Sequence, residues 1–383
     1  MILLRVTLAF LILILIPDWY IHNVYLKGLE KWKKYLYWVP SSLLLILLGI
    51  FIAAHEALHD YFGIYLIIVL CIAIPKTFFM LFSLVLRGIR KLFRCKIPHG
   101  WIALFPSIGI LGYILYGAIY GKENFKINEV TFCSPTLPQA FDGYRILQIS
   151  DIHSGSWKGN EEGLQRAVNL CNSLHPDLAV FTGDLVNSRA DELTGFMPIL
   201  SQLTARDGVY SILGNHDYGT YVTWNDEKER LANLDSLISR EKQMGWQMLL
   251  NEHRMIRRGN DSIVLAGVEN SGKPPFPDRG DLDKALQGTD GLFKILLSHD
   301  PTHWRRKVLP DTDVQLMLAG HTHDMQISLF GFSVSQFIYP EHRGMYLENG
   351  RALYVNIGLG YVLFPMRLGA WPEITILTLK KSN

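Results

Sequence analysis

Four long apolar stretches fill the first 120 residues, and they constrain the fold of this chain more than any other feature. They cover residues 2–16, 37–54, 61–86 and 101–120. A helix needs roughly 20 apolar residues to cross the hydrocarbon layer of a bilayer, and the last three stretches reach or approach that length. The first is shorter, but Pro17, Asp18 and Trp19 follow it instead of a small-residue cleavage site. We therefore interpret it as a retained span rather than a signal peptide.

The remainder of the chain has the composition of a soluble protein, so two units are expected among the 383 residues. We place an all-α membrane region with about four transmembrane helices at residues 1–121, a connector at 122–143 and a globular domain at 144–383. The net charge of +2 is too small to predict a nucleic-acid partner. The scattered cysteines include no CxxC pair and predict no disulfide framework, although a Cys133–Cys171 bridge is possible in an oxidising compartment.

Basic residues in the short loops predict the orientation of the membrane region. Lysine and arginine cluster after the first and third stretches, at residues 27–34 and 87–96, whereas residues 55–60 carry neither. Such basic loops stay in the cytoplasm. We therefore expect a multi-pass protein of the cell (inner) membrane with its globular domain on the extracytoplasmic side; losing one span would reverse this.

His55, Glu56 and His59 fit the H-E-x-x-H pattern of zinc-binding helices. No third ligand is identifiable nearby, because His22, His99 and Asp60 are the only candidates. We favour a polar turn between two spans over an intramembrane protease.

From about residue 129 the pattern becomes that of an α/β protein. Apolar runs at 144–150, 177–182, 208–213, 293–298 and 314–319 predict buried strands, and residues 161–174, 191–203 and 226–244 predict helices. A polar motif follows each of these strands. The motifs are Asp151-x-His153, Gly183-Asp184, Gly214-Asn215-His216-Asp217, Ser298-His299 and Gly320-His321-Thr322-His323. Loops at strand ends are where α/β proteins build their sites, so we expect these side chains to converge.

Seven residues of these motifs are potential metal ligands: Asp151, His153, Asp184, Asn215, His299, His321 and His323. Carboxylate, amide and imidazole donors together suit Zn, Mn or Fe rather than Ca. The set is larger than one ion can use while keeping a place for water, and two divalent ions sharing a carboxylate fit it. Glycines before Asp184, Asn215 and His321 allow tight turns or a close approach of the backbone.

In this order and spacing the motifs resemble the calcineurin-like metallophosphoesterase superfamily, over about residues 144–323. The segments 354–360, 365–368 and 372–374 are similar to its bacterial membrane-associated branch. The resemblance implies a four-layer α-β-β-α sandwich of the α/β class. It also implies that Asp151, His153 and His323 hold one ion, that Asp184 bridges, and that the second ion is completed by Asn215, His299 and His321.

The same resemblance implies that phosphate esters are hydrolysed by a hydroxide lying between the two ions. His216 would protonate the leaving group or bind the phosphate, beside the catalytic residues Asp184 and Asn215. Many relatives have an acid that can orient this histidine where the present chain has Asn187, which supplies no negative charge. We interpret Asp217 as a structural hydrogen-bond acceptor. Asp324 and Met325 replace two glycines common in close relatives, which leaves the local loop geometry open.

The membrane region favours a lipid bilayer partner and a lipid-linked substrate, since a tethered domain meets lipid head groups at high effective concentration. We expect cleavage of phosphodiester or pyrophosphate bonds in a phospholipid, a lipid-linked sugar or a similar phosphate ester. The alternatives are a broad phosphomonoesterase acting on small extracytoplasmic metabolites and a non-catalytic membrane scaffold with a structural metal.

Two features bear on that substrate. The segment after His323 contains Leu329, Phe330, Phe332, Phe337, Ile338 and Tyr339. An apolar loop there could take acyl chains or enter the membrane interface, although a β-hairpin packing its own core is favoured for most of these residues. Arg367 is a candidate for holding a second anionic group, with a surface salt bridge as the equal alternative.

Overall fold

A computed structural model of the chain describes residues 2–94, 96 and 98–382, with the backbone alone for residues 2–6, 55–57, 59 and 60. The chain forms two compact units. The helical unit comprises Met1–Tyr120 and the short segment Leu363–Leu368; the sheet unit comprises Gly121–Val362 and Gly369–Asn383. The chain therefore leaves the sheet unit after Val362 and returns to it at Gly369.

The helical unit contains four long helices: α1 (Ile2–Ile21), α2 (Lys31–Ala53), α3 (His55–Phe93) and α4 (His99–Ile119). Each includes or overlaps a segment long and apolar enough to cross a membrane. Many of their outward side chains are apolar and exposed, which is the arrangement expected of helices surrounded by lipid. All four predicted spans, including the first, are therefore helices of the required length and composition.

Polar contacts connect three of these helices within their apolar spans. Lys76 Nζ on α3 lies 2.7 Å from Asp18 Oδ1 on α1 and donates to Ser41 Oγ on α2 at 3.0 Å. Tyr37 Oη donates to the same Asp18 oxygen at 2.7 Å. Charged side chains inside membrane spans are stable when they are paired in this way. The pair joins α1 to α3, and the contacts of Ser41 and Tyr37 join α2 to both.

The H-E-x-x-H pattern begins α3. The backbone of its residues forms the first turns of that helix, so the expected polar turn between spans is replaced by helix. The side chains of His55, Glu56 and His59 lie outside the described residues, and the role of the motif stays a prediction.

The sheet unit contains two six-stranded sheets. Their strands are β1 (Lys126–Ser134), β2 (Arg145–Ile149), β3 (Leu178–Phe181), β4 (Val209–Ser211), β5 (Gln247–Met248), β6 (Glu252–Arg258), β7 (Asp261–Gly267), β8 (Lys294–Leu297), β9 (Leu316–Ala319), β10 (Gly344–Glu348), β11 (Arg351–Val355) and β12 (Glu373–Lys381). Sheet A has the order β1-β12-β2-β3-β4-β5, and sheet B has the order β10-β11-β9-β8-β7-β6. Strands β2 to β5 are mutually parallel, as are β7, β8, β9 and β11. Residues 126–134, in the expected connector, thus form strand β1.

The helices of this unit are α5 (Glu161–Ser173), α6 (Met197–Leu200), α7 (Glu227–Gln243), α8 (Leu282–Leu286) and α9 (Leu309–Asp311). Helices α5 and α7 confirm two predictions, and Asp226 caps α7 by accepting the Glu229 N–H. The helix expected at 191–203 is wrong, because a 3-10 turn and the short α6 replace it. Gly195 and Pro198 interrupt this segment, and both residues disfavour a helix interior.

Alternating side chains create three cores, and these fix the layers. Ile146 of β2 and Ile295 of β8 point into one core between the two sheets. Leu147 of β2 packs in a second core with α5 and α7, and Leu296 of β8 packs in a third with α8 and Trp304. Because successive strand residues face opposite sides, each sheet is covered on both faces. The predicted four-layer α-β-β-α sandwich is confirmed.

Two smaller expectations are settled by burial. Cys133 is exposed on β1 and Cys171 is buried on α5, and both are free, so the possible bridge between them does not form. Arg367 is completely buried and belongs to the helical unit, which rules out a surface salt bridge.

Candidate metal centre

All five polar motifs begin just beyond the ends of parallel strands in the sheet unit. Asp151, Asp184 and Asn215 follow β2, β3 and β4 of sheet A by two to four residues, and His299 and His321 follow β8 and β9 of sheet B by two residues. The carboxyl ends of parallel strands share an edge. The ligand candidates therefore come from corresponding edges of two stacked sheets.

The backbone at these positions is unusual. Positive φ angles occur at Asp151 (52°), His153 (48°), Asp184 (61°), His321 (75°) and His323 (50°). For a residue other than glycine, a positive φ costs about 1–3 kcal/mol of conformational energy. Residues that carry this strain cluster at functional sites. The surrounding hydrogen bonds hold this geometry: Asp151 N–H donates to Gly183 O at 2.9 Å, for example.

The glycines within the motifs are required by close approach. A Cβ on Gly214 would lie 2.2 Å from Asp184 Oδ1, and one on Gly320 would lie 2.5 Å from Asp151 Oδ2. Both distances are far below van der Waals contact. The prediction that these glycines let the backbone approach the ligands is confirmed.

The first group of ligand atoms comprises those of Asp151, His153 and His323. The two imidazole Nε2 atoms lie 3.1 Å apart, and His323 Nε2 lies 3.2 Å from Asp151 Oδ1. The other Asp151 oxygen accepts the backbone N–H of His321 at 3.0 Å, which fixes the carboxylate toward the two rings.

The second group surrounds His299. Its Nε2 lies 3.1 Å from Asp184 Oδ2, 3.2 Å from Asn215 Oδ1 and 3.3 Å from His321 Nδ1. His299 Nδ1 donates to the Thr182 carbonyl at 2.7 Å, and Asn215 Nδ2 donates to Tyr221 Oη at 2.8 Å. The hydrogen bonds to Thr182 and Tyr221 orient the free lone pairs of His299 and Asn215 toward the other candidate ligands. Residues just outside a metal site commonly orient its ligands in this way.

Asp184 belongs to both groups. Its Oδ2 is 3.1 Å from His299 Nε2 and 3.8 Å from His153 Nε2. The ligand atoms of Asp184, His299 and His321 lie within 4.8 Å of one another, as do those of the first group and those of His153, Asp184 and His216. With Asn215 beside His299, the structure brings all seven candidate ligands together. Opposed lone pairs at such distances repel unless a cation lies between them, so the donor set fits metal ions.

Charge and burial agree with that fit. Burial lowers the pKa of His321 to about 4 and the pKa of His153 well below its usual range, so both rings are neutral and offer lone pairs at neutral pH. Burial opposes ionisation of Asp184, but the imidazoles of His299 and His216 outweigh it and hold the pKa of that carboxyl well below its usual range. An ionised carboxylate and neutral imidazoles are the forms that bind metals. His299 differs from the other two rings, because burial opposes its protonation but the neighbouring Asp184 carboxylate outweighs burial and raises its pKa to about 10. A metal ion that binds there would therefore displace a proton from the His299 ring.

His216 lies at the edge of these groups. Its Nδ1 donates to the main-chain carbonyl of Asn187 at 2.8 Å, and its backbone N–H donates to Asp184 Oδ1 at 2.8 Å. The ring stacks on Tyr221 with a centroid distance of 4.3 Å and meets His153 edge-on at 4.7 Å. Since a backbone carbonyl orients the ring, the lack of a side-chain acid at position 187 does not leave it unsupported.

Asp217 is an acceptor for the turn, as predicted. Its completely buried carboxylate accepts four backbone N–H groups at 2.8–3.2 Å, those of Asp184, Leu185, Val186 and Gly214. Asp324 and Met325 have φ angles of 47° and 50°. The loop thus keeps the left-handed backbone that glycine favours, and Arg343 Nη1 stabilises it by donating to Asp324 Oδ2 at 3.2 Å.

Several residues around the site have no motif that identifies them in the sequence. Tyr221 contacts Asn215 and His216, Tyr339 Oη lies 2.9 Å from His321 Nε2, and the Phe276 ring meets the His321 ring at 4.8 Å. They lie in loops, where no periodicity indicates their contacts.

Comparison with known proteins agrees with this arrangement. The family model "Calcineurin-like phosphoesterase" matches residues 144–325, and "Probable Calcineurin-like phosphoesterase, transmembrane domain" matches residues 4–122. A transmembrane protein with a metallophosphoesterase domain from Danio rerio is 33% identical over 278 residues, covering 70% of this chain and 60% of that protein. The uncharacterised metallophosphoesterase YkuE of Bacillus subtilis (strain 168) is 33% identical over 298 residues, covering 72% of this chain and 96% of YkuE. The chain thus spans three fifths of the Danio rerio protein and nearly all of YkuE.

Solved structures give weaker likenesses. A dimetal phosphatase from Danio rerio has 15% identity and a TM-score of 0.34, covering 57% of this chain and 88% of that one. A phosphopantetheinyl hydrolase from Mycobacterium tuberculosis also has 15% identity and a TM-score of 0.34, covering 58% and 91%.

Proposed function

This chain belongs to the calcineurin-like metallophosphoesterase family of metal-dependent phosphoesterases, and we propose that it uses two divalent metal ions to cleave phosphodiester or pyrophosphate bonds of a lipid-linked or membrane-proximal substrate. The observation that carries the proposal is the convergence of seven ligand candidates in two groups that share Asp184. Either group alone is sufficient for one ion, and the shared carboxylate is a suitable bridge.

The ligand candidates divide between the two proposed ions. Asp151, His153 and His323 would hold the first ion, Asn215, His299 and His321 would hold the second, and Asp184 would be shared by both. Ions of the Mn, Zn or Fe type supply Lewis-acid chemistry that acidifies a water nucleophile and offsets phosphoryl charge. Asp184 and Asn215 are also proposed catalytic residues beside His216: Asp184 Oδ1 accepts the His216 backbone N–H, and Asn215 donates to Tyr221, on which the His216 ring stacks.

His216 is the proposed proton donor. Its Nδ1 is engaged by the Asn187 carbonyl, which leaves Nε2 as the ring nitrogen available to the substrate. A protonated Nε2 donates its proton to the leaving oxygen as the bond to phosphorus breaks. A positioned acid of this kind contributes roughly 10²–10⁴-fold to the rate.

The membrane-proximal substrate is supported by the four spans of the same chain. A domain tethered at a bilayer meets lipid head groups at high effective concentration. The basic clusters at residues 27–34 and 87–96 favour a cytoplasmic place for those loops. We accordingly propose that the sheet unit acts on the extracytoplasmic side of the cell (inner) membrane.

The test uses the purified full chain in detergent, with bis(p-nitrophenyl) phosphate and added Mn²⁺ or Zn²⁺. Asp184→Asn and Asn215→Ala are expected to abolish turnover. Asp226→Asn is the matched control, because this residue caps α7 on the surface and asparagine caps equally well. Bound metal is measured in every sample.

The outcomes separate the candidate functions. Metal-dependent diester hydrolysis that both site variants lose supports the proposal. Faster turnover of p-nitrophenyl phosphate than of the diester would replace it with the phosphomonoesterase, and bound metal without any hydrolysis would replace it with the scaffold. A purified chain that binds no transition metal and cleaves no diester refutes the dinuclear site.

A further inference from the structure

A cluster of exposed apolar side chains lies in one loop of the sheet unit. This apolar loop, residues 325–338, exposes Met325, Phe330, Phe332, Val334, Phe337 and Ile338. Phe330 is completely exposed and Phe337 is 74% exposed. The other large apolar side chains exposed on the described part of this unit are isolated along the sequence: Ile127, Tyr221, Leu231 and Leu347. Single exposed apolar residues are ordinary, whereas clusters mark binding surfaces.

The apolar loop has polar residues inside and aromatic residues outside. Ser328, Ser333, Ser335 and Gln326 are buried. Ser333 Oγ donates to the Asp324 carbonyl at 2.8 Å. This distribution is the reverse of ordinary burial, so the expected hairpin that packs its own core does not form.

Arg343 fixes this arrangement from one side. Its Nη1 donates to Ser328 Oγ and to Asp324 Oδ2, both at 3.2 Å, and its Nη2 donates to Gly331 O at 3.1 Å. Phe332 and Phe337 meet edge to face with a centroid distance of 5.9 Å. The aromatic side chains therefore project from a hydrogen-bonded loop rather than from an unsupported one.

The apolar loop is joined directly to the metal centre. It starts two residues after the ligand candidate His323 and ends beside Tyr339, whose Oη is 2.9 Å from His321 Nε2. A phosphate at the metal centre would thus have the apolar loop at its edge. The chain also carries four helices that are long and apolar enough to cross a membrane, so lipid is the apolar ligand that we choose for this loop.

We propose that the apolar loop binds the acyl chains of a membrane lipid whose phosphate lies at the metal centre. The inference rests on the proposed function and narrows it to substrates with long alkyl tails. Aromatic side chains suit this role, because each removes a large apolar area from water when an alkyl chain packs on it. Phe330 and Phe337 are the main contacts, since they are the most exposed aromatic residues of the loop.

The experiment compares two diesters with the same leaving group, ethyl p-nitrophenyl phosphate and hexadecyl p-nitrophenyl phosphate. Each releases p-nitrophenolate and an alkyl phosphate on hydrolysis. The full chain is assayed in nanodiscs of fixed lipid composition, so that partitioning of the long ester is the same for every variant. The variants are Phe330→Ser and Phe337→Ser. Leu347→Ser is the matched control, because Leu347 is 71% exposed on β10 of the same unit and lies outside the loop.

The wild type is expected to prefer the hexadecyl ester by more than tenfold in kcat/KM. Each loop variant should lose most of that preference while hydrolysing the ethyl ester within about twofold of the wild type, and Leu347→Ser should change neither. Equal preference in wild type and loop variants, or no preference in the wild type, overturns the inference. If Phe330→Ser changes the oligomeric state and leaves the preference intact, the loop is a protein interface instead.

A binding measurement separates this inference from the proposed function. Hexadecylphosphonate, which is not hydrolysed, should bind the wild type at least tenfold more tightly than it binds Phe330→Ser in the same nanodiscs. That difference supports acyl-chain binding even if no ester is cleaved. Equal binding overturns it even if diester hydrolysis is rapid.

Discussion

Replacing Asp217 by asparagine tests how the backbone of the metal centre is held. In the folded chain, Oδ2 of Asp217 accepts the N–H groups of Asp184 and Gly214 at 2.9 and 2.8 Å. Oδ1 accepts those of Leu185 and Val186 at 2.8 and 3.2 Å. The asparagine amide keeps the shape of the carboxylate but replaces one acceptor oxygen by an NH₂ group. In either orientation, two buried N–H donors then face another donor.

The expected cost follows from those two contacts. Burial and the charge of Asp184 raise the pKa of Asp217 to about 7, so the comparison is made at about pH 8, where the carboxylate is mostly ionised. A hydrogen bond to a charged acceptor contributes about 1.5–3 kcal/mol, and a buried donor left without a partner costs a similar amount. Losing two therefore destabilises the fold by about 3–6 kcal/mol, a large part of the 5–15 kcal/mol that is typical of folded proteins. At roughly 2–4 °C per kcal/mol for a domain of this size, the Tm should fall by about 6–24 °C.

Thermal unfolding of the purified full chain measures this, with metal content determined on the same samples. Because Asp217 holds the backbone of Asp184, weaker metal retention should accompany the lower Tm, and outer partners of metal ligands typically contribute 10–100-fold to affinity. Asp226→Asn removes the same charge at an exposed helix cap and should leave the Tm unchanged.

Two results would refute the reasoning. An Asp217→Asn protein with the Tm and metal content of the wild type would mean that the four N–H groups do not depend on the carboxylate. A protein with normal Tm but no metal would mean that Asp217 is itself a ligand rather than an acceptor for the turn.

Three further predictions concern other groups. Burial and the charge of Asp217 raise the pKa of Glu241 to about 8, so the folded chain holds a proton that the unfolded chain releases above about pH 4.5. Stability should decline as pH rises through this window, by about 3 kcal/mol between pH 5 and 7.5, and thermal melts of Glu241→Gln should lack this decline. His216→Ala should slow hydrolysis of diesters with alkyl leaving groups by roughly 10²–10⁴-fold but affect p-nitrophenyl esters much less, since p-nitrophenolate leaves without a proton; an equal loss for both would contradict proton donation. Lys76→Met leaves the buried Asp18 carboxylate unpaired and should destabilise the helical unit by about 3–5 kcal/mol, whereas adding Asp18→Asn should restore most of the Tm in detergent; no restoration would show that the pair is not coupled.

The strands and the spans were predictable because their signals are local. Residues 144–150 and 293–298 are short, mainly apolar runs, and both contain strands in the structure, since a strand buried on both faces needs apolar side chains at most positions. The helices of the helical unit were predictable for a similar reason, because a helix that crosses the hydrocarbon layer of a bilayer needs a long apolar stretch. The helix predicted at residues 191–203 was wrong for a local reason too. Gly195 and Pro198 disfavour a continuous helix there more than the helical spacing of the apolar residues favours it.

The ligand types were predictable for a related reason. Asp184 and His299 follow strands whose ends must lie at the sheet edges, and their donor atoms identify metal chemistry whatever the details of packing. The sequence did not predict which side chains of the apolar loop are buried and which are exposed. Phe330 is exposed because hydrogen bonds from Ser333 and Arg343 hold the backbone of the loop. The phenylalanines in the sequence do not indicate these hydrogen bonds.

By itself the sequence determined the four spans, the α/β class and the seven metal-ligand candidates, because hydrophobic periodicity and donor chemistry are properties of neighbouring residues. Tertiary structure alone decided that Tyr221, Tyr339 and the Thr182 carbonyl aim those ligands and that Leu363–Leu368 packs with the helical unit. These contacts join residues that are distant in the chain or carry no periodic pattern. They form only when two sheets and their loops pack together, which is why no local pattern records them.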